Sequence, residues 1–236
     1  METPFEIRYN NIKLQVERLY KSANRLDDTK FPGLEDISFT LKGGECVHLH
    51  SYEPAANKLL LDTLTGRIRL DAGAIWVEHQ GQWLNLPQLS PRQTRLLQAI
   101  GYLGPSELLC SASTVIGCVS QPQIELGVSR TQAEEQSHHI LDWVGLPRRL
   151  WHRAPKQLAP AELHQVNLAR TFAVDHSIIV IDLPLTQLDP ANQTRLLKLI
   201  AYRKAQDVCF IGQFDQEDLR TQICDRTLSI YVPTLA

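Results

Sequence analysis

The stretch AELHQVNLARTFAVDHSIIVIDLP, residues 161–184, contains a helix pattern followed directly by a strand pattern. The second part, SIIVIDLP, is an unbroken apolar run, which is typical of a strand covered on both faces of a sheet. A helix that leads into such a strand predicts an α/β fold with a parallel sheet. The apolar residues at helical spacing in the first part are Leu163, Val166, Leu168 and Ala169.

The same patterns continue on both sides of this stretch. Towards the carboxyl end, QTRLLKLIAYRKAQ predicts a helix, DVCFIGQF a buried strand and RTLSIYV a closing strand. Towards the amino end, FEIRYNNIKLQVERLY alternates like a strand, and LEDISFTLKGGECVHLH predicts two strands joined at a Gly-Gly turn. DAGAIWVEHQGQWLNL predicts a strand, a turn and a strand. The first half therefore predicts a partly antiparallel β layer beside the parallel sheet.

Residues 106–158 differ in character from the rest of the chain. They are polar and rich in Gln and Ser, and SRTQAEEQSHHILDWVGL has one apolar stripe at Ile140, Leu141 and Val144. We predict an inserted helical subdomain over residues 106–158, within a single domain that spans residues 1–236. The aromatic side chains Trp143 and Trp151 are expected to pack this subdomain onto the core.

Composition excludes several classes of protein. At 236 residues and 43% hydrophobic, the chain is long enough to bury one sizeable core. A net charge of −2 gives no overall attraction to nucleic acid, so no nucleic-acid partner is expected. No run approaches the roughly 20 apolar residues of a spanning helix, and the first residues lack a leader pattern. We therefore expect a cytoplasmic protein without direct membrane insertion.

The cysteines give no sign of a framework or a metal site. They are odd in number and contain no C-x-x-C pair, which argues against a disulfide framework and against zinc. We predict reduced, mostly buried thiols that act as small apolar residues. The cysteines are Cys46, Cys110, Cys118, Cys209 and Cys224.

The segment HSYEPAANKLLL, residues 50–61, stands between a strand pattern and the helix pattern NKLLLDTLTGRI. This is where a phosphate-binding loop would lie in an α/β protein, because the backbone N–H groups at a helix start bind anions. The segment has no glycine. We expect it to form an ordinary capped turn into the helix, with no converging set of N–H groups.

Four short motifs in the second half support a family resemblance. They are LPRRLWHRAP, VNLARTFAVD, IIVIDLP and the LD pair at 188–189. Together with GGECVHLH in the first half, they make the chain similar to the ATP-binding-cassette (ABC) ATPases, and within them to the PhnL-type subunit of the carbon-phosphorus lyase system. The resemblance implies a P-loop NTPase-like ABC nucleotide-binding domain with an antiparallel β layer and a helical subdomain.

At each position that matches the family's nucleotide loop, this chain lacks the residue type that the family has there. In active members, glycines let backbone N–H groups reach the phosphates, a lysine contacts the outer phosphates and a hydroxyl residue holds magnesium. Pro54 also lacks the N–H that the loop would present. The family's three glycines fall at Ser51, Pro54 and Ala56, its lysine at Asn57, and its two hydroxyl positions at Lys58 and Leu59.

The second nucleotide motif of the family ends in Asp-Glu, where the aspartate supports magnesium and the glutamate polarises the attacking water. Asp182 remains, but Leu183 stands at the glutamate position and has no group that accepts a proton. The histidine after the late strand falls at Asp215, whose charge would repel a phosphate. Asp182 and Asp189 are also interpretable as helix-capping residues.

The remaining family positions are altered in the same way. The signature segment, which closes over the partner's ATP in the family, falls at Ala159, Pro160 and Ala161, and Glu162 alone agrees. The glutamine at the head of the helical subdomain falls near Pro105.

These losses favour a degenerate ABC-type protein, a pseudo-ATPase that acts as a structural or regulatory interaction subunit. No cofactor is expected. The partners would be proteins, either another ABC-type subunit or a membrane complex.

Two other hypotheses stay open. One is an ATP-binding ABC ATPase subunit that energises transport or a phosphonate-metabolism complex, with ATP and magnesium as cofactors. The other is binding of a different anion in the old cleft by Lys58 and Arg170. Lys58 lies one residue after Asn57, the position of the family's lysine. On a helix, its side chain therefore points about 100° away from the direction of that lysine.

Overall fold

Two large sheets, with a small two-stranded sheet of Arg25–Leu26 and Thr29–Lys30, organise the fold, seen in a computed structural model. The structure describes residues 11–23, 25–26, 29–30, 32–88, 99–104, 112–183 and 188–232. The strands are β1 Ile12–Lys21, β2 Arg25–Leu26, β3 Thr29–Lys30, β4 Leu34–Lys42, β5 Cys46–His50, β6 Ala72–His79, β7 Gln82–Asn85, β8 Ile100–Leu103, β9 Ile178–Ile181, β10 Cys209–Gly212 and β11 Arg226–Ser229. The α-helices are α1 Pro54–Leu64, α2 Val115–Glu125, α3 Arg130–Trp143, α4 Pro160–Phe172, α5 Pro190–Lys204 and α6 Glu217–Ile223.

The parallel sheet has the order β11-β5-β10-β9-β8, and each neighbouring pair is parallel. Every residue of β9 and β10 is buried. Alternate side chains enter two apolar clusters: Ile179 and Phe210 join the α2–α5 side, whereas Val180 and Ile211 join the side of α1 and β1. Both faces are therefore covered, which is why these strands have unbroken apolar sequences. The predicted parallel sheet is confirmed.

The antiparallel sheet has the order β4-β1-β6-β7. Its buried side chains alternate along β1, with Leu14 and Val16 inward, as expected for a strand covered on one face. The hairpin between β6 and β7 turns at Gln80 and Gly81, which both have positive φ. β4 and β5 follow each other across Gly43-Gly44 but do not pair, because β4 joins the antiparallel sheet and β5 the parallel one.

The inserted subdomain consists of α2, α3 and short 3-10 turns at Arg148–Leu150 and Pro155–Gln157. Side chains of Thr114 and Ser129 cap α2 and α3. Trp151 is buried in the core and stacks on His138, as predicted for packing, whereas Trp143 is 45% exposed. The single-domain span 1–236 and the bounds 106–158 stay predictions, and residues 106–111 lie outside the described part.

The prediction of reduced cysteines is wrong at one position. Cys118 is disulfide-bonded, while Cys46 and Cys209 are free and buried and Cys224 is free and partly buried. Spacing along the chain does not show which sulfur atoms meet in space, so this bond could not be foreseen from the sequence. Among the described helices, none combines the length and apolar character needed to cross a membrane.

Candidate functional site

The candidate site lies at the carboxyl edge of the parallel sheet, where ligands bind in open α/β sheets. Ser51 follows β5, Asp182 follows β9 and Tyr102 is the third residue of β8. The amino-terminal half of α1 faces the same edge and brings Lys58 to Asp182. Because these strands are parallel, the fold brings together residues that are far apart in sequence.

The segment between β5 and α1 is a short turn that leads directly into a helix. α1 begins at Pro54, so only residues 51–53 separate it from β5. The Ser51 hydroxyl accepts a hydrogen bond from the Glu53 N–H at 3.1 Å, and the Ala56 N–H donates to the Glu53 carbonyl at 3.0 Å. Proline suits the first helical position, since its missing N–H has no partner there. Glu53 does not cap the helix with its side chain, so the predicted cap is wrong.

This turn cannot form the nest of a phosphate-binding loop. Such a nest needs successive residues in alternating right- and left-handed conformations, so that their N–H groups converge. Residues 51–58 are all described, and none of them has positive φ. Pro54, Ala56, Asn57 and Lys58 are helical residues, and Asn57 is buried with its Oδ1 atom unpartnered. The residues that would form a phosphate-binding loop therefore form the start of α1 instead.

Lys58 is held between two carboxylates. Its Nζ atom lies 2.7 Å from both carboxylate oxygens of Asp62 and 3.0 Å from Oδ2 of Asp182. Burial lowers the pKa of Lys58, but hydrogen bonds to Asp62 and Asp182 outweigh it, and the pKa is raised overall. The positive charge of the Lys58 ammonium group is therefore already balanced by two carboxylates of the protein.

Asp182 is buried and makes its contacts with side chains. Its Oδ2 atom accepts a hydrogen bond of 2.6 Å from the Tyr102 hydroxyl, in addition to the contact with Lys58. Burial, and then the hydrogen bond to Asp182, raises the pKa of Tyr102 to about 12, so this hydroxyl remains a donor. By contrast, Asp189 accepts from the Asn192 N–H at 3.0 Å and caps α5, which confirms the capping interpretation at that position.

Arg67 completes the arrangement. Its guanidinium carbon lies 3.5 Å from the centroid of the Tyr102 ring, a cation–π geometry. One of its nitrogens is 3.8 Å from Asp62. We refer to the five residues below as the charge cluster. They are Lys58, Asp62, Arg67, Tyr102 and Asp182.

The sequence did not point to three members of the charge cluster. Asp62 is four residues after Lys58 on a helix, a spacing at which opposite charges meet, so this pair had a usable signal. Tyr102 had none, because it reaches Asp182 through the order of strands in the sheet. Arg67 contacts Asp62 locally, five residues on in the turn after α1, but its position over the Tyr102 ring has no sequence signal.

The other predicted site positions lie outside the charge cluster. Leu183 is 1% exposed and belongs to the apolar core, and Leu59 is buried in the second apolar cluster. Asp215 is exposed just ahead of α6. Arg170 lies on α4 with its Nε atom buried and unpartnered, and burial lowers its pKa. Pro105 lies outside the described residues.

The signature-region positions form the start of α4. Ala159 precedes the helix and Pro160 begins it, and both are exposed together with Ala161. Oε2 of Glu162 accepts a hydrogen bond from the Ala159 N–H at 2.8 Å. This is half of a capping box, because alanine has no side-chain acceptor to complete it. Within the described ranges, no group of three His, Cys, Asp or Glu side chains is arranged to hold a metal ion.

The fold and the position of this edge define a cassette of the P-loop NTPase type. A family model described as ABC transporter matches residues 34–186, which is more than half of the chain. The chain therefore belongs to the ABC transporter family.

Known relatives agree with this assignment. The methionine import ATP-binding protein MetN of Carboxydothermus hydrogenoformans is 27% identical over 199 residues, covering 84% of this chain and 58% of that protein. A putative ABC transporter ATP-binding protein of Methanosarcina mazei is 26% identical over 199 residues, covering 83% of this chain and 66% of that protein. The chain thus spans little more than half the length of the methionine import relative.

Solved structures share the fold. A dimeric ATP-binding cassette in a post-hydrolysis state, bound to ADP and Pi, aligns with a TM-score of 0.78 at 16% identity, covering 92% of this chain and 94% of that one. The ATP binding subunit of an ABC transporter aligns with a TM-score of 0.76 at 20% identity, covering 93% and 86%. The predicted fold class, an ABC nucleotide-binding domain with an antiparallel sheet and a helical insertion, is confirmed.

Proposed function

We propose that this chain serves as a cassette subunit of an ABC-type transport assembly, and that its own nucleotide site does not hydrolyse ATP. Membership of the ABC transporter family supports the first part. The second part rests on one observation, the charge cluster, in which Lys58 is bound by Asp62 and Asp182 beside a turn without a phosphate nest. A membrane component or a second cassette would be its protein partner, with the chain on the cytoplasmic side.

The residues present do not fit a magnesium–nucleotide complex. A phosphate group brought to this edge would meet the carboxylates of Asp62 and Asp182, and like charges repel strongly where water is excluded. Lys58 would have to leave both carboxylates before it contacted a phosphate. At Leu183 the side chain is buried and apolar, so it neither orients water nor accepts its proton.

A second candidate is an ATP-binding subunit that hydrolyses ATP and drives uptake. The names of the relatives favour it, because they are methionine import ATP-binding proteins. In that case ATP and magnesium would be cofactors, and Asp182 would be the family residue nearest the metal. These names also favour an importer over the predicted PhnL-type branch, so a role in phosphonate metabolism stays a prediction of the sequence alone.

Phosphate release from Mg-ATP by the purified full chain separates the two candidates. We expect no release above background, and the same result for Asp182→Asn. Turnover that disappears in Asp182→Asn would overturn the proposal and establish the ATPase. A methionine import relative, assayed in parallel, controls for the quality of the assay.

Melting in the presence of Mg-ATP tests binding without hydrolysis. A ligand at a hundredfold its Kd stabilises a folded protein by about 2.7 kcal/mol, which raises the Tm of a chain of this size by roughly 5–10 °C. We expect no shift with millimolar Mg-ATP. A shift without turnover would show that the cassette binds nucleotide while hydrolysis is lost.

A further inference from the structure

Two thiols meet at the amino end of the parallel sheet, on the edge opposite the charge cluster. Cys46 is the first residue of β5, and Cys224 directly follows α6. Their sulfur atoms are 3.8 Å apart, although the residues are 178 positions apart in sequence. Both thiols are free in the structure.

Hydrogen bonds fix the backbone on both sides of this pair. The Cys46 N–H donates to Oδ2 of Asp225 at 2.7 Å, and the Asp225 N–H donates to the Cys46 carbonyl at 2.8 Å. Lys204 Nζ donates to the same carboxylate at 2.7 Å and to the Ile223 carbonyl at 3.1 Å. The start of β5 and the segment between α6 and β11 are therefore held side by side.

This arrangement is compatible with a covalent bond between the sulfurs. The Asp225 N–H donates to the Cys46 carbonyl, so Cys224 is one residue from the position directly beside Cys46. The two sulfurs are 3.8 Å apart, and a disulfide bond is about 2.05 Å long. The sulfurs need to approach by roughly 1.8 Å to reach the bond length, which side-chain rotation can supply.

We propose that Cys46 and Cys224 are a modification site, at which a hydroperoxide oxidises the two thiols to a reversible disulfide. The Cys224 thiolate attacks a peroxide oxygen, so that a sulfur–oxygen bond forms, the oxygen–oxygen bond breaks and hydroxide leaves. The Cys46 thiol then attacks the sulfenic sulfur, so that the sulfur–sulfur bond forms and the sulfur–oxygen bond breaks, and the thiol proton leaves with the hydroxide as water. In the whole reaction, two thiols lose two electrons and hydrogen peroxide is reduced to two waters.

The surroundings assign different roles to the two cysteines. Cys224 is partly exposed, so peroxide can reach it, whereas Cys46 is fully buried and is placed only to attack Cys224. The hydrogen bond from Cys46 lowers the pKa of the Cys224 thiol, and Lys204 acts in the same direction. That hydrogen bond, together with burial, raises the pKa of Cys46. The reactive thiolate is therefore at Cys224.

The bond would join the carboxyl-terminal segment to the centre of the sheet. It would close a loop of 178 residues and fix α6 and β11 against β5. Because a cross-link over a loop of this length raises the free energy of the unfolded chain by about 5 kcal/mol, we expect the Tm to rise by roughly 10–20 °C on oxidation.

The experiment treats the purified full chain with hydrogen peroxide and counts thiols after denaturation. We expect the count to fall by two, peptide mapping to find Cys46 linked to Cys224, and dithiothreitol to remove the Cys46–Cys224 link from the peptide map. Cys224→Ser should abolish the loss of two thiols. Cys209→Ala, a matched control at another buried free thiol, should retain it.

Absence of the Cys46–Cys224 cross-linked peptide from the oxidised wild-type chain would overturn the proposal. So would an equal loss of thiols in the Cys224→Ser variant. The wild-type peptide map requires no substitution, so a folding defect in a variant leaves that measurement unchanged.

Discussion

Strand β9 and Asp182, the residue that follows it, belong to different regions of the molecule. Ile178 to Ile181 are buried between two apolar layers, whereas Asp182 joins the charge cluster and contacts Lys58 and Tyr102. Leu183 then returns to the apolar core. Within three residues, the chain passes from core to polar edge and back again.

The difference shows that fold and chemistry depend on separate residues. The strands need only apolar side chains on both faces, and this chain retains them. Catalysis at the edge needs particular groups at particular positions. The sequence predicts that Leu183 stands at a position where the family has a carboxylate, and in the structure its side chain is buried in the apolar core.

Leu183→Glu, which introduces the carboxylate that the sequence comparison predicts for this position in the family, is the strongest test of this comparison. A carboxylate at a position that is 1% exposed loses its water without gaining a partner. We expect a loss of about 3–5 kcal/mol in the free energy of unfolding and no ATP hydrolysis. Urea denaturation followed by circular dichroism measures the first, and phosphate release the second.

Leu183→Met is the matched control, because it keeps the apolar volume and should cost less than about 1.5 kcal/mol. A Leu183→Glu chain that is as stable as the wild type and hydrolyses ATP would show that the edge has retained its catalytic design.

Tyr102→Phe tests whether the charge cluster is a rigid part of the fold. The substitution removes the hydroxyl that donates to Asp182 at 2.6 Å and leaves the ring beneath Arg67. Hydrogen bonds to charged groups contribute about 1.5–3 kcal/mol, so we expect a loss of that size in urea denaturation. Tyr202→Phe, at an exposed position on α5, should change the stability by less than about 0.5 kcal/mol. Equal effects of the two substitutions would mean that the cluster does not stabilise the fold.

His48, on β5 of the parallel sheet, gives a smaller, pH-dependent effect on stability. It is buried on β5, and its Nδ1 atom accepts a hydrogen bond from the Phe214 N–H at 3.3 Å. Burial, and then the charges of Arg220 and His50, lowers the pKa of His48 from 6.5 to about 4. Unfolding therefore takes up a proton between these two values, and the free energy of unfolding falls as the pH drops through this window.

We expect His48 to contribute a loss of about 1–2 kcal/mol between pH 7 and pH 5. The stability of His48→Gln, measured by urea denaturation, should lack this part of the pH dependence, whereas His50→Gln, at an exposed neighbour, should retain it. Parallel pH curves for the wild type and His48→Gln would contradict the assignment of a neutral, buried His48.

Much of the fold was accessible from the sequence, because its strands have clear local patterns. The runs IIVI and CFIG became fully buried strands, and the helix patterns before and after them became α4 and α5. The start of α1 was missed by three residues, since Pro54 begins the helix and the apolar spacing became visible only after Asn57. A proline at the first helical position is a start signal in its own right.

The charge cluster was accessible only in part. The sequence drew attention to Lys58 and Asp182 through the family positions, but it could not show that they touch. Tyr102 is 80 residues from Asp182, and the two meet because β8 and β9 are neighbours in the sheet. Contacts of this kind follow from strand order, which apolar patterns alone do not specify.

The engagement of Lys58 has a consequence for surveys of nucleotide-binding proteins in cell extracts. Acyl-phosphate derivatives of ATP label such proteins by transferring an acyl group to an unprotonated lysine amine beside bound phosphates. In this chain the amine lies between Asp62 and Asp182, which keep it protonated, and no phosphate nest stands beside it. We therefore expect little acylation at Lys58 by such probes, because only the unprotonated amine reacts.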